Sequence, residues 1–132
     1  MTSTSNGHVE VTYGTVEDMA PALQPALLAE LERALATGPV SVLFQVHTHE
    51  VPRTVPEFWL QVTRRFAPGL CAIAVVSESL AVRTAARVFG ISNDLKGVPI
   101  AVKAFAPTEL ASARDWCQRA RLTRASGAAP SR

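Results

Sequence analysis

The sequence predicts a single α/β domain: a mostly parallel four-stranded sheet packed with helices, in the order β-α-β-α-β-α-β-α. Three observations carry this expectation. Strand-like apolar runs at about 8–13, 40–47, 70–76 and 98–105 alternate with segments of helical periodicity. Each run is separated from the next by a helix-length segment, which demands a crossover connection and therefore parallel pairing. The chain has 132 residues, a single-domain length, and its 48% apolar and 18% charged content suits a packed core. No internal repeat or second domain is visible.

Residues 1–7 are small and polar and are expected to be disordered, with the domain spanning 8–122 and a flexible tail over 123–132. His8–Tyr13 alternates apolar and polar residues, as a half-buried strand does, and Gly14 ends it. Leucines at 23, 27, 31 and 35 follow at intervals of four, so a helix fills much of 15–38. Asp18 is a candidate cap. Pro21 and Pro25 favour a helix that starts at Pro25, because proline fits only a first turn. Gly38-Pro39 stops it.

Val40–His47 is the central strand, an apolar run that ends in the polar cluster His47-Thr48-His49-Glu50. A helix over 55–66 follows, with Thr54 as candidate N-cap, Pro56 in the first turn and Glu57 at the capping-box position. Pro68-Gly69 breaks the chain. Leu70–Val76 is wholly apolar, as in a strand covered on both faces. Ser77 reads as the cap of a helix over 78–89, with Leu80, Ala81, Ala85, Val88 and Phe89 on its buried side and Gly90 ending it. Residues 91–97 read as a polar connection. Pro99 near the start of the last strand suits an edge position. Thr108 is expected to cap the final helix, 109–121, which buries Leu110, Ala113, Trp116 and Cys117.

Composition excludes several function classes. No apolar run approaches the roughly 18–20 residues that span a bilayer, and the first residues have neither a basic nor an apolar signal region. Cys71 and Cys117 are far apart without CxxC spacing, which suits free thiols in a reducing cytoplasm. The net charge of +2 is uneven. Residues 1–112 carry 8 Lys/Arg against 10 Asp/Glu, whereas 113–132 carry 5 Arg against Asp115 alone. A basic stretch confined to one end, without interleaved aromatics, is a solvated helix face rather than a nucleic-acid footprint.

Three stretches resemble the STAS-like, SpoIIAA-like family of small bacterial proteins, related to anti-sigma-factor antagonists and likened to lipid-binding SEC14 domains. They are the strand Val-Ser-Val-Leu-Phe-Gln-Val, the strand Cys71–Val76 running into a helix at Ser77, and Val-Lys-Ala-Phe105-Ala-Pro-Thr-Glu-Leu-Ala-Ser-Ala-Arg-Asp-Trp116. The resemblance implies a STAS-like fold and an interaction function. In one respect the chain departs from the pattern. Anti-sigma-factor antagonists carry Asp-Ser-Ser/Thr-Gly after the strand matching Val40–Val46, with a phosphorylated serine, and this chain has His-Thr-His-Glu-Val-Pro-Arg-Thr instead. The phosphorylation switch therefore has no serine to be carried onto.

In open α/β sheets, ligands and partners are met beyond the carboxyl ends of the strands. The expected working surface is therefore the loop and helix start after the central strand: His47, Thr48, His49, Glu50, Arg53, Thr54, Glu57 and Trp59. Rim charges at Glu50, Arg53 and Glu57 would surround Trp59 as aromatic anchor, unless Trp59 packs in the core. Thr48 and Thr54 are candidate phosphorylation sites, because a phosphate is favoured at a helix N-terminus. His47, His49 and Glu50 invite a metal reading, but a lasting site needs three or four converging ligands, so no metal and no cofactor is expected. No Gly-x-Ser-x-Gly elbow, Walker lysine or Gly-x-Gly-x-x-Gly occurs, and an enzyme is not expected. The leading expectation is a cytoplasmic regulatory adaptor that binds a protein partner, with a homodimer as one open assembly. The alternative is a carrier of a small apolar ligand, which requires an enclosed pocket of about 300 Å³ or more.

Overall fold

The computed structural model describes residues 2–67 and 69–126. Its strands are β1 (Thr2–Ser5), β2 (His8–Tyr13), β3 (Val40–Val46), β4 (Leu70–Val76) and β5 (Ala101–Phe105), and its helices α1 (Pro25–Leu35), α2 (Thr54–Phe66), α3 (Leu80–Leu95) and α4 (Leu110–Ala125). The sheet order is β1-β2-β3-β4-β5, with β2 to β5 parallel and β1 antiparallel on the edge. Neighbouring parallel strands joined by right-handed crossovers put every crossover helix on the same face. Accordingly α1, α2 and α3 share one face, where Leu27, Leu31, Trp59, Phe66 and Val82 pack on Val9, Val42, Phe44 and Ile73. Among the described residues the opposite face is covered by α4 alone, through Ala113, Trp116, Cys117 and Ala120 against Leu43, Cys71, Ala72, Ala74 and Phe105. Side chains of a strand alternate between faces, so β3 sends Val40, Val42, Phe44 and Val46 to the first face and Ser41 and Leu43 to the second. A register shift between Val40 and Ser41 lets Cys71 and Ala72 both serve the α4 face.

Element boundaries depart from the sequence expectation at four places. Residues 2–5, expected to be disordered, form a strand whose register runs from Thr2↔Val11 to Ser5↔His8. An edge strand exposed throughout needs hydrogen bonds rather than an apolar face, and Asn6-Gly7, both at positive φ (51° and 81°), closes the hairpin. Secondly, α3 continues through Gly90 to Leu95. Gly90 is a point of close approach: a Cβ there would sit 3.2 Å from Val102 Cβ of β5. The helix stops instead before Gly97, at φ +69°. Its caps also differ, since Ser79 Oγ accepts from Val82 N and Ser77 Oγ from Ser79 N. Thirdly, β5 begins at Ala101, two residues past Pro99. Finally, α4 reaches Ala125, past the expected helix end at 121, and Arg124 Nη2 donates to Pro99 O at 2.6 Å. Met1, Pro68 and residues 127–132, which include most of the expected tail, lie outside the described residues.

Candidate functional site

The loop after β3 is fixed by its own backbone. His47 N donates to Tyr13 O at 2.9 Å, which anchors the start of the loop to the end of β2. Thr48 turns inward, and its Oγ1 donates to Glu50 O at 2.9 Å. Val55 N donates to Pro52 O at 3.0 Å and so folds the chain into α2. This bracing points His47, His49, Glu50, Arg53, Thr54 and Glu57 outward, all of them exposed. Thr54 is the first residue of α2, not its cap: Arg53 holds the cap position and no side chain bonds the helix end.

Two expected site residues are not on this surface. Trp59 is only 6% exposed, and its ring meets Phe44 edge-on at 4.9 Å and Phe58 at 5.6 Å. One helical turn below Val55, it lies on the face that α2 presses to the sheet, so it is core and not a protruding anchor. Thr48 is buried with its hydroxyl engaged, which removes it from the accessible threonines. Among the described residues no three His, Cys, Asp or Glu side chains converge as metal ligands would.

Beside the loop lies an apolar cavity of about 80 Å³ between α2, α3 and the sheet, lined by Tyr13, Phe44, Val55, Trp59 and Phe89 among others. It is well short of the roughly 300–1,000 Å³ of ligand sites. No helix among the described residues is long and apolar enough to cross a membrane.

Sequence reasoning missed a polar cluster at the other end of the sheet. His8 Nδ1 lies 2.8 Å from Ser41 Oγ, and His8 Nε2 lies 2.9 Å from Glu10 Oε2. Arg114 of α4 grips Glu10 with both Nε (2.8 Å) and Nη2 (3.0 Å), and Arg121 donates to Ser41 Oγ. Burial lowers the His8 pKa, and the Arg114 hydrogen bond lowers that of Glu10. The serine–histidine–carboxylate sequence resembles a nucleophile with its base, but Ser41 is 0% exposed and its hydroxyl is held by His8 and Arg121. The cluster is a clamp that fastens α4 to β2 and β3. Its sequence signal was the alternation of β2, which aims His8 and Glu10 at one face.

The second omission is on α3. Leu80, Ala81 and Val88, expected on its buried side, are exposed, together with Ile91 and Leu95. The packed positions are Val82, Ala86 and Asn93, with Phe89 partly covered. Reading the helix only to residue 89 hid the longer spacing that separates the two sides.

A family model described as SpoIIAA-like matches residues 9–118, which takes in every element from β2 to most of α4. No curated protein matches the chain. No solved structure matches it either.

Proposed function

The chain belongs to the SpoIIAA-like family, and from that premise we propose that it is a non-catalytic regulatory adaptor that binds a protein partner through the loop after β3 and the start of α2. The observation that carries this reading is the set of six exposed polar side chains, His47, His49, Glu50, Arg53, Thr54 and Glu57, on a loop braced from within by Thr48. A braced loop loses little conformational entropy on binding. The 80 Å³ cavity supports an adaptor over a carrier of an apolar ligand, which would need several times that volume.

Of the two candidate threonines, Thr54 is the better phosphate acceptor. Its side chain is exposed in the first turn of α2, where the helix dipole favours added negative charge. Two buried free thiols suit a reducing cytoplasm as the place of work. Self-association is a second protein contact open to the same domain.

The test is capture from a bacterial lysate with the wild-type domain and with a Glu50→Lys/Arg53→Glu double variant. A partner retained by the first and lost by the second, at equal melting temperature, is the expected result. Equal retention by both moves the partner surface away from the loop. Saturable binding of a fatty acid or other small apolar molecule would favour the carrier instead.

A further inference from the structure

We propose that α3 is a self-association surface, on which two copies of the chain pair through antiparallel α3 helices. Thr84, Val88, Ile91 and Leu95 recur at intervals of four, three and four residues, the spacing of a two-helix seam. All four are exposed, with Val88 at 61%, Ile91 at 59% and Leu95 at 83%, and they lie opposite the side that packs through Val82 and Ala86. A single exposed leucine is ordinary, whereas an aligned row at seam spacing is a patch. Arg87 and Asp94 run along one edge of the row, each one residue before an apolar member; Ala85 and Ser92 run along the other.

The charges select both the occupant and its direction. A two-fold contact must be self-complementary, the same surface meeting itself. In the antiparallel register that sets Val88 against Ile91 of the second copy, and Leu95 against Thr84, like edges face each other. Arg87 then stands beside Asp94 of the second copy, offset by about two residues or ~3 Å along the axis, and symmetry makes this pair twice. A parallel arrangement sets the Arg87–Asp94 edge against the Ala85–Ser92 edge and gains no ion pair. Small residues on that second edge let the helices approach closely, and antiparallel dipoles oppose head to tail.

This inference deepens the adaptor reading by naming one of its protein contacts, and it uses none of the loop residues. The Glu50→Lys/Arg53→Glu variant is therefore expected to dimerise like wild type, so failure of the loop surface and failure of α3 pairing are read separately. Sedimentation velocity on the full chain from 5 to 500 µM (on the order of the weak end of specific association) is expected to show a monomer–dimer equilibrium. Ile91→Lys should weaken it at least tenfold with an unchanged melting temperature, because the side chain is exposed. Arg87→Asp alone and Asp94→Arg alone should each weaken it several-fold, and the double swap should restore it to within about twofold. A wild-type chain that stays monomeric to 500 µM overturns the proposal, as does a dimer indifferent to Ile91→Lys or a swap that fails to restore pairing. Monomeric protein that instead floats with phosphatidylcholine vesicles would assign the row to a lipid surface and equally overturn it.

Discussion

On one face of the sheet three helices bury Phe44, Trp59, Phe66 and a row of branched aliphatics; on the other, among the described residues, a single helix rests on alanines, Cys71, Leu43 and Phe105 and is tied down at its edges. The first face is held by volume. Its aromatic chain runs from Tyr13, stacked on Phe44 at 5.5 Å, through Trp59 to Phe58. The second contributes one aromatic contact, Phe105 with Trp116 at 5.9 Å, plus the Arg114–Glu10, Arg121–Ser41 and Arg124–Pro99 hydrogen bonds. The difference follows from connectivity. Crossovers supply one face with three helices, whereas α4 lies across β3 and β4 on the other and takes side partners at the sheet's flank. Apolar burial is non-directional, whereas hydrogen bonds depend on geometry and protonation. The two faces should therefore fail under different perturbations.

The largest effect belongs to the first face. Trp59→Ala is expected to cost about 3–5 kcal/mol, the usual range for removing a buried aromatic, measured by denaturant unfolding. A cost under about 1 kcal/mol would mean that Trp59 is not part of this core. On the α4 face, Ser41→Ala removes the hydroxyl shared by His8 and Arg121 and is expected to cost about 1–3 kcal/mol, the penalty for stranding buried polar partners. An equal or larger loss than for Trp59→Ala would invert the comparison.

Acidification should act on the α4 face. Burial holds His8 below its ordinary pKa of 6.5, so the folded chain resists a proton that the unfolded chain accepts. The stability this confers is complete above about pH 6.5 and declines as the pH falls from there through the lowered value. Glu10, held below 4.5 by Arg114, adds a second loss as the pH drops below that value toward its own folded pKa. Melting curves from pH 8 to 4 should show the first decline, and His8→Gln should flatten it. A profile identical to wild type would remove His8 from the clamp. The smallest effect is expected at the loop, where His47→Ala and His49→Ala are exposed changes that should stay within about 0.5 kcal/mol. A larger loss there would give the loop a structural role.

Parallel order, strand positions and the two-sided burial of β4 were legible in the sequence because they rest on apolar periodicity, and periodicity reports burial. What failed to register was organised by other forces. β1 contains only Thr and Ser, so its pairing left no apolar trace, although Asn6-Gly7 carried a hairpin signal. Gly90 reads as a stop, yet the helix passes through it; its glycine serves the close approach of β5, where a Cβ would meet Val102 Cβ at 3.2 Å, tighter than ordinary contact. The candidate loop was located by the rule for strand ends, but the inward turn of Thr48 depends on a contact within the loop that no periodicity encodes. From sequence Trp59 fits either role, anchor or core, because one turn of helix has both a buried and an exposed side.

The contrast between the faces also has a use at the bench. Cys71 on β4 and Cys117 on the sheet-facing side of α4 meet at the seam between them, nearly without exposed surface, and burial pushes both thiols up, that of Cys117 to about 12. A thiol reagent attacks the thiolate and needs access to it. In the folded chain neither sulfur offers that at neutral pH. The rate at which the native protein takes up an alkylating label therefore times the lifting of α4, a clock supplied by the natural sequence. A cysteine introduced at an exposed position can be labelled beside it without first removing the native pair.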